Sequence, residues 1–423
     1  MTDRLMALRD SAKSLFAVAC QAADPARALA AALIDTPLPQ PQAGGATFVL
    51  ALGKAAIPMA EFLLDHLAGR PVQMLVVTNY ENARDVPGAT VLAAGHPVPD
   101  ENGAFAAREV ERMLADTTSA DLVIALISGG GSALLPAPVD GLTLEEKASV
   151  NKVLLANGLE ITEMNLVRQH LSRLKGGGFL CAAAPAPVTA YILSDVIGDD
   201  LRVIASGPTV APIGPVQQAR DLLQSMGLWE ELPVAAQGIL NARPAPNLPP
   251  TDAQNVLIGS NRKSLDAVVS AFGPQAQLIN DHLTGDVADA ATLIIAAAAS
   301  AGPETKCLVF GGETTVVLRG NGLGGRNQEL ALRVALAMPA LNRDWVFLSG
   351  GTDGRDGPTD AAGGLVDRHS AERMRAACRD PLALLANNDS NAALALSHDL
   401  LITGATGTNV ADVQILLLQP VKE

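Results

Sequence analysis

One stretch of the sequence, 121–138 (D-L-V-I-A-L-I-S-G-G-G-S-A-L-L-P-A-P), constrains the fold more than any other. Six apolar residues, Leu122–Ile127, are followed by a serine and three consecutive glycines. A short apolar run that ends in glycine is typical of a strand buried on both faces. Glycine has no Cβ, so its backbone can approach a ligand closely, and residues 132–135 can begin a helix. We therefore predict a strand, a glycine loop and a helix start.

This order of elements suits the binding of phosphate, because the backbone N–H groups at a helix start favour an anion. The simpler interpretation is a tight turn between strand and helix, but three adjacent glycines exceed what a turn needs. The residues predicted to bind phosphate are Ser128, Gly129, Gly130, Gly131 and Ser132.

The charge of the chain limits its partners. With 30 Lys and Arg against 44 Asp and Glu, the net charge is −14 over 423 residues. Such a charge argues against a nucleic-acid-binding surface and against attraction to an anionic membrane. An acidic chain can still bind ATP, provided that lysines, arginines or a metal ion lie at the site. The length predicts two or three domains.

The cysteines and the N-terminal segment indicate the compartment. Cys20, Cys181, Cys307 and Cys378 lie far apart without a C-x-x-C pair, so disulfides and a zinc site are not expected. The first ten residues carry no apolar signal region, and no run reaches 18 uninterrupted apolar residues. We therefore predict a cytoplasmic protein without a membrane span.

Strand patterns alternate with helix patterns in the first half of the chain. Strands are predicted at 47–52, 73–78, 90–94 and 122–127, with helices between them. This alternation indicates an α/β fold with a parallel sheet and helices on both faces. The segment 241–252 holds four prolines and is the best linker. It separates a predicted N-terminal domain, 1–240, from a C-terminal domain, 253–423, although residues 255–301 could pack with either half.

The pattern changes after Lys306. Apolar residues on both sides of 311–313 (G-G-E) predict a β-hairpin there. The glycines at 320, 322 and 325 then match G-x-G-x-x-G, the dinucleotide fingerprint. The dinucleotide fingerprint normally lies between a strand and a helix of a βαβ unit. Here a predicted hairpin precedes the match, and no acidic residue follows at the expected spacing, so NAD binding is a weak alternative. A Walker A sequence is absent.

Two basic residues lie where a solvated side chain would be unfavourable. Lys54 comes directly between a predicted strand and a helix, and Arg326 follows G-N-G-L-G-G at a helix start. A positive charge at a helix start opposes the helix dipole. Ligand sites in open α/β sheets lie at the carboxyl ends of strands, and both side chains suit phosphate or carboxylate. We predict that both bind the anionic reactants.

Several carboxylates lie near the glycine-rich segments. Asp195 and Asp353 each follow a predicted strand, and Mg²⁺ is often held by a few carboxylates together with substrate phosphates. Each could equally be an Asx-turn residue. Glu313 is a further candidate, whereas Asp356 and Asp360 are better interpreted as turn residues.

Histidines give no clear catalytic pattern. His96 in G-H-P is better explained by a structural hydrogen bond than by catalysis. His170 lies in a basic run with Arg168, Arg173 and Lys175, which is either a solvated face or a patch that receives an anionic substrate.

Taken together, these motifs resemble the MOFRL-type glycerate 2-kinase family, whose members have often been labelled hydroxypyruvate reductases. The matching segments in order are A-L-G-K-A-A, G-H-P-V-P-D, S-G-G-G-S-A-L, E-M-N-L-V-R-Q-H-L-S-R-L-K-G-G, S-D-V-I-G-D-D, S-G-P-T, G-G-E-T-T-V, G-G-R-N-Q-E, G-T-D-G-R-D-G-P-T-D-A-A-G and T-G-T-N. They run from Lys54 to Asn409, and as a set they are highly specific. Arg355, Asn391 and Ala405 depart mildly from the family pattern.

The resemblance implies two α/β domains with the active site in the cleft between them, the N-terminal one Rossmann-like. It implies transfer of the γ-phosphoryl group of ATP, with Mg²⁺, to the 2-hydroxyl of D-glycerate. The lysine and arginine proposed as catalytic in the family correspond to Lys54 and Arg326. The nucleotide-binding prediction adds three residues to the glycine loop, namely Glu313, Thr314 and Gly325.

Two other functions stay open from the sequence. One is an NAD(P)H-dependent hydroxypyruvate reductase, which the glycine match supports and its context weakens. The other is a nucleotide sensor without catalysis, which would have no use for both Lys54 and Arg326. The sequence is compatible with a homodimer but does not fix the oligomeric state.

Overall fold

A computed structural model describes residues 3–242, 253–377 and 380–420 of the chain. The chain forms two compact units. The first unit is Ala28–Ile258, and the second joins Met1–Arg27 to Gly259–Glu423.

The first unit is built on a six-stranded sheet in the order β3-β2-β1-β4-β5-β6. All the pairs from β3 across to β5 are parallel. The order is that of the Rossmann fold. The strands are β1 Thr47–Leu52, β2 Val72–Asn79, β3 Thr90–Ala94, β4 Leu122–Ile127, β5 Val188–Leu193 and β6 Gln254–Gly259.

The register of this sheet brings the ends of its central strands together. Leu52, the last residue of β1, pairs with Val77 of β2 and with Ile127, the last residue of β4. The chain order reverses between β1 and β4, which makes this the topological switch point where open α/β sheets bind ligands. The predicted α/β fold with an N-terminal Rossmann-like sheet is confirmed.

Ten helices precede the segment 243–252, which lies outside the described residues and contains most of the predicted linker. They are α1 Asp3–Ala22, α2 Pro25–Asp35, α3 Ala56–His66, α4 Glu101–Ala115, α5 Gly131–Leu134, α6 Leu144–Ala156, α7 Ile161–His170, α8 Gly178–Ala183, α9 Val216–Ser225 and α10 Val234–Ala242.

Two apolar clusters support the first unit. In one, alternate residues of β1, such as Leu50, pack with α4 and α8 through Val110 and Phe179. In the other, helices α6, α7, α9 and α10 pack on one another without a strand. Helix α6 begins with a capping box, because Thr143 and Glu146 each accept the backbone N–H of the other.

The second unit contains a mixed six-stranded sheet in the order β11-β10-β9-β12-β8-β7. β7 and β8 are parallel, and the other neighbouring strands are antiparallel. The strands are β7 Ala276–Asp286, β8 Cys307–Thr315, β9 Arg343–Gly351, β10 Gly363–Asp367, β11 Leu400–Leu401 and β12 Asp412–Pro420.

Helices cover both faces of this sheet. Helices α1 and α11 pack on one face, through a cluster that includes Phe16, Leu265 and Ile415, while α12 and α13 pack on the other. The helices after the linker are α11 Asn261–Phe272, α12 Val287–Ser300, α13 Arg326–Ala337, α14 Ser370–Ala376, α15 Pro381–Ala386 and α16 Ser390–Leu396.

The grouping of segments differs from the predicted division at two places. The predicted ranges, 1–240 and 253–423, put the first helix with the first sheet, but Met1–Arg27 groups with the second sheet instead. The apolar face of α1 packs on that sheet, a long-range contact that sequence proximity does not reveal. At the other end, β6 completes the first sheet, and the segment from α11 onward belongs to the second unit.

The predicted hairpin at 311–313 is wrong, because β8 runs through these residues as one strand. Gly312 has a φ of +147°, and a side chain there would collide with the backbone of Leu283 on β7. Glycine at 312 therefore allows the backbones of β7 and β8 to approach closely, which is a common reason for glycine within a strand.

The described cysteines and helices can be compared with the sequence predictions. Cys20 and Cys307 are free thiols, and Cys378 lies outside the described residues. Among the described helices, none alone is long and apolar enough to cross a membrane, although α1 and α2, as a bent pair, meet that criterion by length and composition.

Candidate active site

Lys54 lies at the carboxyl end of β1, between that strand and α3. Its backbone N–H donates to the carbonyl oxygen of Gly129 at 2.9 Å, and its own carbonyl oxygen accepts from the Asn82 amide. Ser128 completes the junction, because its Oγ accepts from the N–H of Ala55 at 3.1 Å. These bonds fix Lys54 beside the glycine loop, at the switch point of the sheet.

The glycine loop itself follows β4 as predicted. Gly130 has a φ of +85° and precedes α5, a conformation that favours glycine. A Cβ at Gly130 would lie 3.3 Å from Lys54 Cγ and 3.3 Å from His96 Nε2, so both side chains lie against the bare backbone of this residue. The loop therefore carries two basic side chains over a glycine, which is an arrangement suited to an anion.

Asp195 lies two residues beyond the end of β5, at the same edge of the sheet. Its carboxylate packs on Gly129, and any side chain at Gly129 would collide with it. Lys54, the loop 128–132 and Asp195 are thus brought together in the first unit. Asp353 belongs to the second unit, where its Oδ1 accepts from the N–H of Arg355 at 2.9 Å as in an Asx turn.

A metal ion at this site would need ligands from the substrates as well as from the protein. Among the described residues there is no group of three or more His, Cys, Asp or Glu side chains that could hold a metal ion. A single carboxylate such as Asp195 fits a magnesium ion only if substrate phosphates supply further ligands, which is the usual arrangement for Mg²⁺ with a nucleotide.

His96 lies against Gly130 together with Lys54, although its sequence context favoured a purely structural hydrogen bond. Burial, and then the nearby charge of Lys54, lowers the pKa of its imidazole, which favours the neutral ring. The pKa of Glu81, nearby, is lowered chiefly by a backbone hydrogen bond and by the amide of Asn79, with a smaller effect from the charge of Lys54. His96 follows β3, so the rule about strand ends that singled out Lys54 applies to it equally.

The basic run around His170 divides into two parts. His170 Nε2 is bonded to the carbonyl oxygen of Gly214, and Arg173 bonds the carboxylate of Glu111, so both stabilise the fold. Lys175, in contrast, donates to the carbonyl oxygen of Ser132 at 2.7 Å and to its Oγ at 2.8 Å. The interpretation as a patch for an anionic substrate therefore does not extend to His170 and Arg173.

The contact between Lys175 and Ser132 belongs to a partly buried chain of hydrogen bonds. Ser132 Oγ lies 2.8 Å from Ser206 Oγ, which donates to Asn165 Oδ1 at 2.7 Å. Burial, and then the charge of Arg168, lowers the pKa of Lys175 from 10.5 to about 7. A neutral amine retains two N–H donors, so both bonds to Ser132 survive loss of the proton.

Substituting Lys175 should change how stability depends on pH. Between pH 7 and 10.5 the unfolded chain binds a proton at this lysine that the folded chain has lost, so the free energy of unfolding rises with pH. We expect Lys175→Met to lack this rise. Urea midpoints measured from about pH 7 to 9 test it, with Lys152→Met, an exposed lysine, as the control. Parallel curves for wild type and Lys175→Met would contradict the assignment.

Arg326 is the first residue of α13, in the second unit. Its Nε and Nη2 donate to the two carboxylate oxygens of Asp412 at 2.6 and 3.0 Å, and its Nη1 lies 3.0 Å from Glu313 Oε1. Burial disfavours the charged form of Arg326, but the carboxylates of Asp412 and Glu313 stabilise it more strongly, so the pKa of Arg326 is raised. The guanidinium is therefore held rigidly while part of it remains exposed.

Asp412, which the sequence analysis missed, is the fixed partner of this arginine. Its carboxylate is fully buried at the start of β12, and burial raises its pKa to about 6 despite the hydrogen bonds from Arg326. The sequence feature that could have identified Asp412 is a single charged residue directly before an apolar run that forms a buried strand. Glu313, the second partner of the Arg326 guanidinium, is exposed, so solvent or a ligand can replace it there.

Asp356 caps the start of α13. Its carboxylate accepts the backbone N–H groups of Asn327 and Gln328 at 3.1 and 2.8 Å and the Gln328 side chain at 3.0 Å. The same carboxylate packs on Gly325 so closely that any side chain there would collide with it. This packing accounts for the glycine at 325 without a ligand, and nucleotide binding by Gly325 stays a prediction.

The remaining two predicted nucleotide-binding residues lie together at the end of β8. Glu313 pairs with Arg326, as described above. Thr314 is buried, and its Oγ1 has no hydrogen-bond partner within the described part of the chain. A role of either residue in binding ATP stays a prediction.

The glycines that match the dinucleotide fingerprint contact the chain itself. Side chains at Gly320 and Gly322 would collide with Asn387 and Asp389, in the segment before α16. The N–H of Gly322 also donates to the carbonyl oxygen of Asn387 at 2.9 Å. Because protein atoms already lie against these glycines, the match gives no support to a nicotinamide cofactor.

Asp412→Asn should lower kcat through Arg326 rather than through the fold. The amide keeps the size of the side chain but removes the charge that orients the guanidinium, and such misplacement can cost about 10²-fold in rate. The measurement is kcat and KM, together with the unfolding midpoint, which we expect to change little. Because the effect acts through Arg326, the loss in Asp412→Asn/Arg326→Ala should not exceed that in Arg326→Ala alone. Additive losses would contradict a positioning role.

Two family descriptions match the chain. Residues 11–241 match "Domain of unknown function (DUF4147)", and residues 306–412 match "MOFRL family". The first match alone covers more than half of the chain.

Relatives of known name cover most of the sequence. A D-glycerate 2-kinase from Thermotoga maritima is 40% identical over 384 residues, which are 88% of this chain and 90% of that protein. A relative from Agrobacterium vitis, 40% identical over 88% of this chain and 100% of its own length, is named only provisionally, as a hydroxypyruvate reductase. The crystal structure of a glycerate kinase from Thermotoga maritima has a TM-score of 0.90 and 37% identity, covering 98% of this chain and 100% of that one. The chain therefore belongs to the MOFRL-type glycerate kinase family.

Proposed function

We propose that this protein transfers the γ-phosphoryl group of ATP to the 2-hydroxyl of D-glycerate, giving 2-phosphoglycerate and ADP. The hydroxyl oxygen forms the new bond to phosphorus, the bond to the β-phosphate oxygen breaks, and the hydroxyl proton passes to a base or to water. The observation that carries the proposal is the position of Lys54 against Gly130 at the switch point of the first sheet. Kinship with a named D-glycerate 2-kinase supplies the substrate.

Lys54 and the glycine loop act on the phosphates. A lysine ammonium is a compact charge that can follow a phosphoryl group as it moves, and glycine lets phosphate oxygens approach the backbone. Phosphoryl transfer needs mainly positioning and electrostatic stabilisation, so a protein nucleophile is not required. His96, as a neutral ring beside Lys54, can accept or donate a hydrogen bond without adding charge.

Arg326 acts from the second unit on the same reaction. Its planar guanidinium has donors beyond those used by Asp412, and these suit a carboxylate or a phosphoryl oxygen. Glu313 pairs with Nη1 in the structure, and as the exposed partner it is the one that an anionic reactant can replace. Asp412 keeps the guanidinium in place during the exchange.

Mg²⁺ supplies charge neutralisation on the phosphates when it is bound with ATP. We propose Asp195 or Asp353 as its protein ligand, as the sequence analysis predicts. Asp195→Asn keeps the packing on Gly129 and removes the charge. We expect it to raise the Mg²⁺ concentration that gives half-maximal activity about tenfold, if one carboxylate contact is lost. Titrations of Mg²⁺ at saturating ATP measure this effect.

Two further variants decide between the candidate ligands. Asp199→Asn changes a neighbouring acid in the same loop and should leave the Mg²⁺ requirement unaltered. Asp353→Asn should raise the requirement if the ligand lies in the second unit. An unchanged requirement in both Asp195→Asn and Asp353→Asn would remove both residues from the metal site.

A direct assay separates the kinase from its alternatives. Purified protein with ATP, Mg²⁺ and D-glycerate should form ADP at a rate that depends on glycerate. The reductase alternative predicts oxidation of NADH with hydroxypyruvate and no ADP. A sensor would bind ATP without turnover.

We also propose a cytoplasmic location, since the substrate ATP and the free thiols of Cys20 and Cys307 suit a reducing compartment. A small-molecule kinase of charge −14 has no evident use for nucleic acid or an anionic membrane. The oligomeric state is open, and size-exclusion chromatography with light scattering would test the homodimer.

A further inference from the structure

A large cleft in the first unit joins the glycine loop and has no assigned ligand. Its volume is about 900 Å³, and Gly130, Ser132 and Ala133 form one part of its wall. The rest comes from the segment 96–99, one side of α6 and Arg168. Small-molecule sites typically occupy 300–1,000 Å³ and are mostly apolar with a few polar groups. The cleft has this size and this type of lining.

Two apolar side chains of the cleft are unusually exposed. Val98 is 70% exposed and Leu155 is 60% exposed, and both belong to the lining. Pro97 and Ala156 extend the apolar surface beside them. Single exposed apolar residues are common, but two in one cleft next to a predicted phosphate loop indicate a surface that a flat apolar group can cover.

The charged groups of the cleft favour an anion. Lys152 and Arg168 line it, against one acid, Glu145, in a chain whose net charge is −14, and the imidazole of His96 adds a hydrogen-bonding group. Arg168 is half-buried, and its Nε donates to Asn151 Oδ1 at 2.8 Å, which fixes the side chain. Positive groups near the glycine loop and an apolar surface beyond them match a ligand with an anionic end and a flat apolar end.

We propose that this cleft binds the adenosine part of ATP, with the base against Val98 and Leu155 and the phosphates directed to Gly130 and Ser132. The assignment rests on the proposed kinase function. Glycerate is small and polar, and it offers nothing to cover the exposed apolar side chains. A purine nucleoside triphosphate has both the size and the two chemically different ends that the lining requires.

The test compares Val98→Asp and Leu155→Asp with matched controls outside the cleft. Val234, 83% exposed on α10, and Ile34, 81% exposed on α2, give the controls Val234→Asp and Ile34→Asp. Each variant is titrated with a fluorescent, non-hydrolysable ATP analogue in the presence of Mg²⁺, and the KM for D-glycerate is measured at saturating ATP. Leu155→Ala serves as a second, milder variant in case an aspartate disturbs α6.

We expect the Kd for the analogue to rise about tenfold in Val98→Asp and Leu155→Asp, less in Leu155→Ala, and less than about twofold in the controls. The KM for D-glycerate should stay within about twofold. Unchanged nucleotide affinity in the cleft variants, or a selective rise in the KM for glycerate, would overturn the assignment.

The experiments distinguish failure of the cleft assignment from failure of the proposed function. If the wild-type protein phosphorylates glycerate and the cleft variants bind the analogue normally, the cleft assignment fails alone. If the wild-type protein forms no phosphoglycerate but its nucleotide affinity depends on Val98 and Leu155, the assignment stands and the glycerate kinase function fails.

Discussion

Arg326→Ala should lower kcat for glycerate phosphorylation about 10³-fold, the loss typical of an arginine that stabilises charge on a transferring phosphoryl group. The structure explains why the loss would be large. Asp412 holds the guanidinium through both carboxylate oxygens, so the charge is already positioned before the reaction. Rapid-quench or coupled measurement of ADP at saturating substrates gives the value.

Two further variants define the effect of Arg326. Arg326→Lys keeps a charge but cannot bond both oxygens of Asp412 and also reach Glu313, so it should recover little of the rate. Arg375→Ala removes an exposed arginine from α14 in the same unit and should be silent. If Arg326→Ala retained the wild-type rate, Arg326 would have no role in catalysis.

Lys54→Ala should reduce kcat on the order of 10²–10³-fold, the usual cost of removing one preorganised group that stabilises developing charge. The backbone contacts of Lys54 with Gly129 and Asn82 do not involve its side chain, so the junction between β1 and α3 should remain folded. The measurement is kcat together with the unfolding midpoint.

The control for Lys54 is Lys13→Ala, an exposed lysine on α1 that pairs only weakly with Asp10. We expect unchanged kcat in this control. A large loss of rate in Lys54→Ala accompanied by a lower unfolding midpoint would assign Lys54 to the fold rather than to the reaction. An unchanged rate would remove it from the site.

The first unit was largely predictable because its signals are local. The strands that bear the site are short apolar runs that end at glycine or serine, such as Thr47–Leu52 and Leu122–Ile127, and they appear where the sequence indicated. The position of Lys54 followed from the rule that ligands bind at the carboxyl ends of parallel strands. The same rule would have found His96, had it been applied to β3.

The second unit was harder to predict, because its sheet is mixed and its glycines serve close packing. Gly311 faces the side chains of Asn261 and Leu265, and Gly312 faces Leu283. Both contacts are with residues remote in sequence, so the local pattern around Gly311 and Gly312 predicts a turn instead. The strand β7 was also hard to recognise, because Leu283 is its one buried residue at the sheet edge and polar residues interrupt its apolar pattern.

The partners of Arg326 and Lys175 could not be inferred from sequence at all. Asp412 lies 86 residues from Arg326, and Ser132 lies 43 residues from Lys175. In the sequence, such a buried partner is visible only as one charged or polar residue next to an apolar run. What it contacts depends on how distant strands are ordered in the sheet, which local patterns do not specify.

The measurement that tests the central claim most directly is the identity of the product. Purified protein is incubated with D-glycerate, ATP and Mg²⁺, and the phosphorylated product is assigned by phosphorus NMR against both phosphoglycerate standards. A glycerate 2-kinase should form 2-phosphoglycerate in amounts equal to the ADP formed. Formation of 3-phosphoglycerate, or no ADP together with NADH oxidation on hydroxypyruvate, would contradict this function.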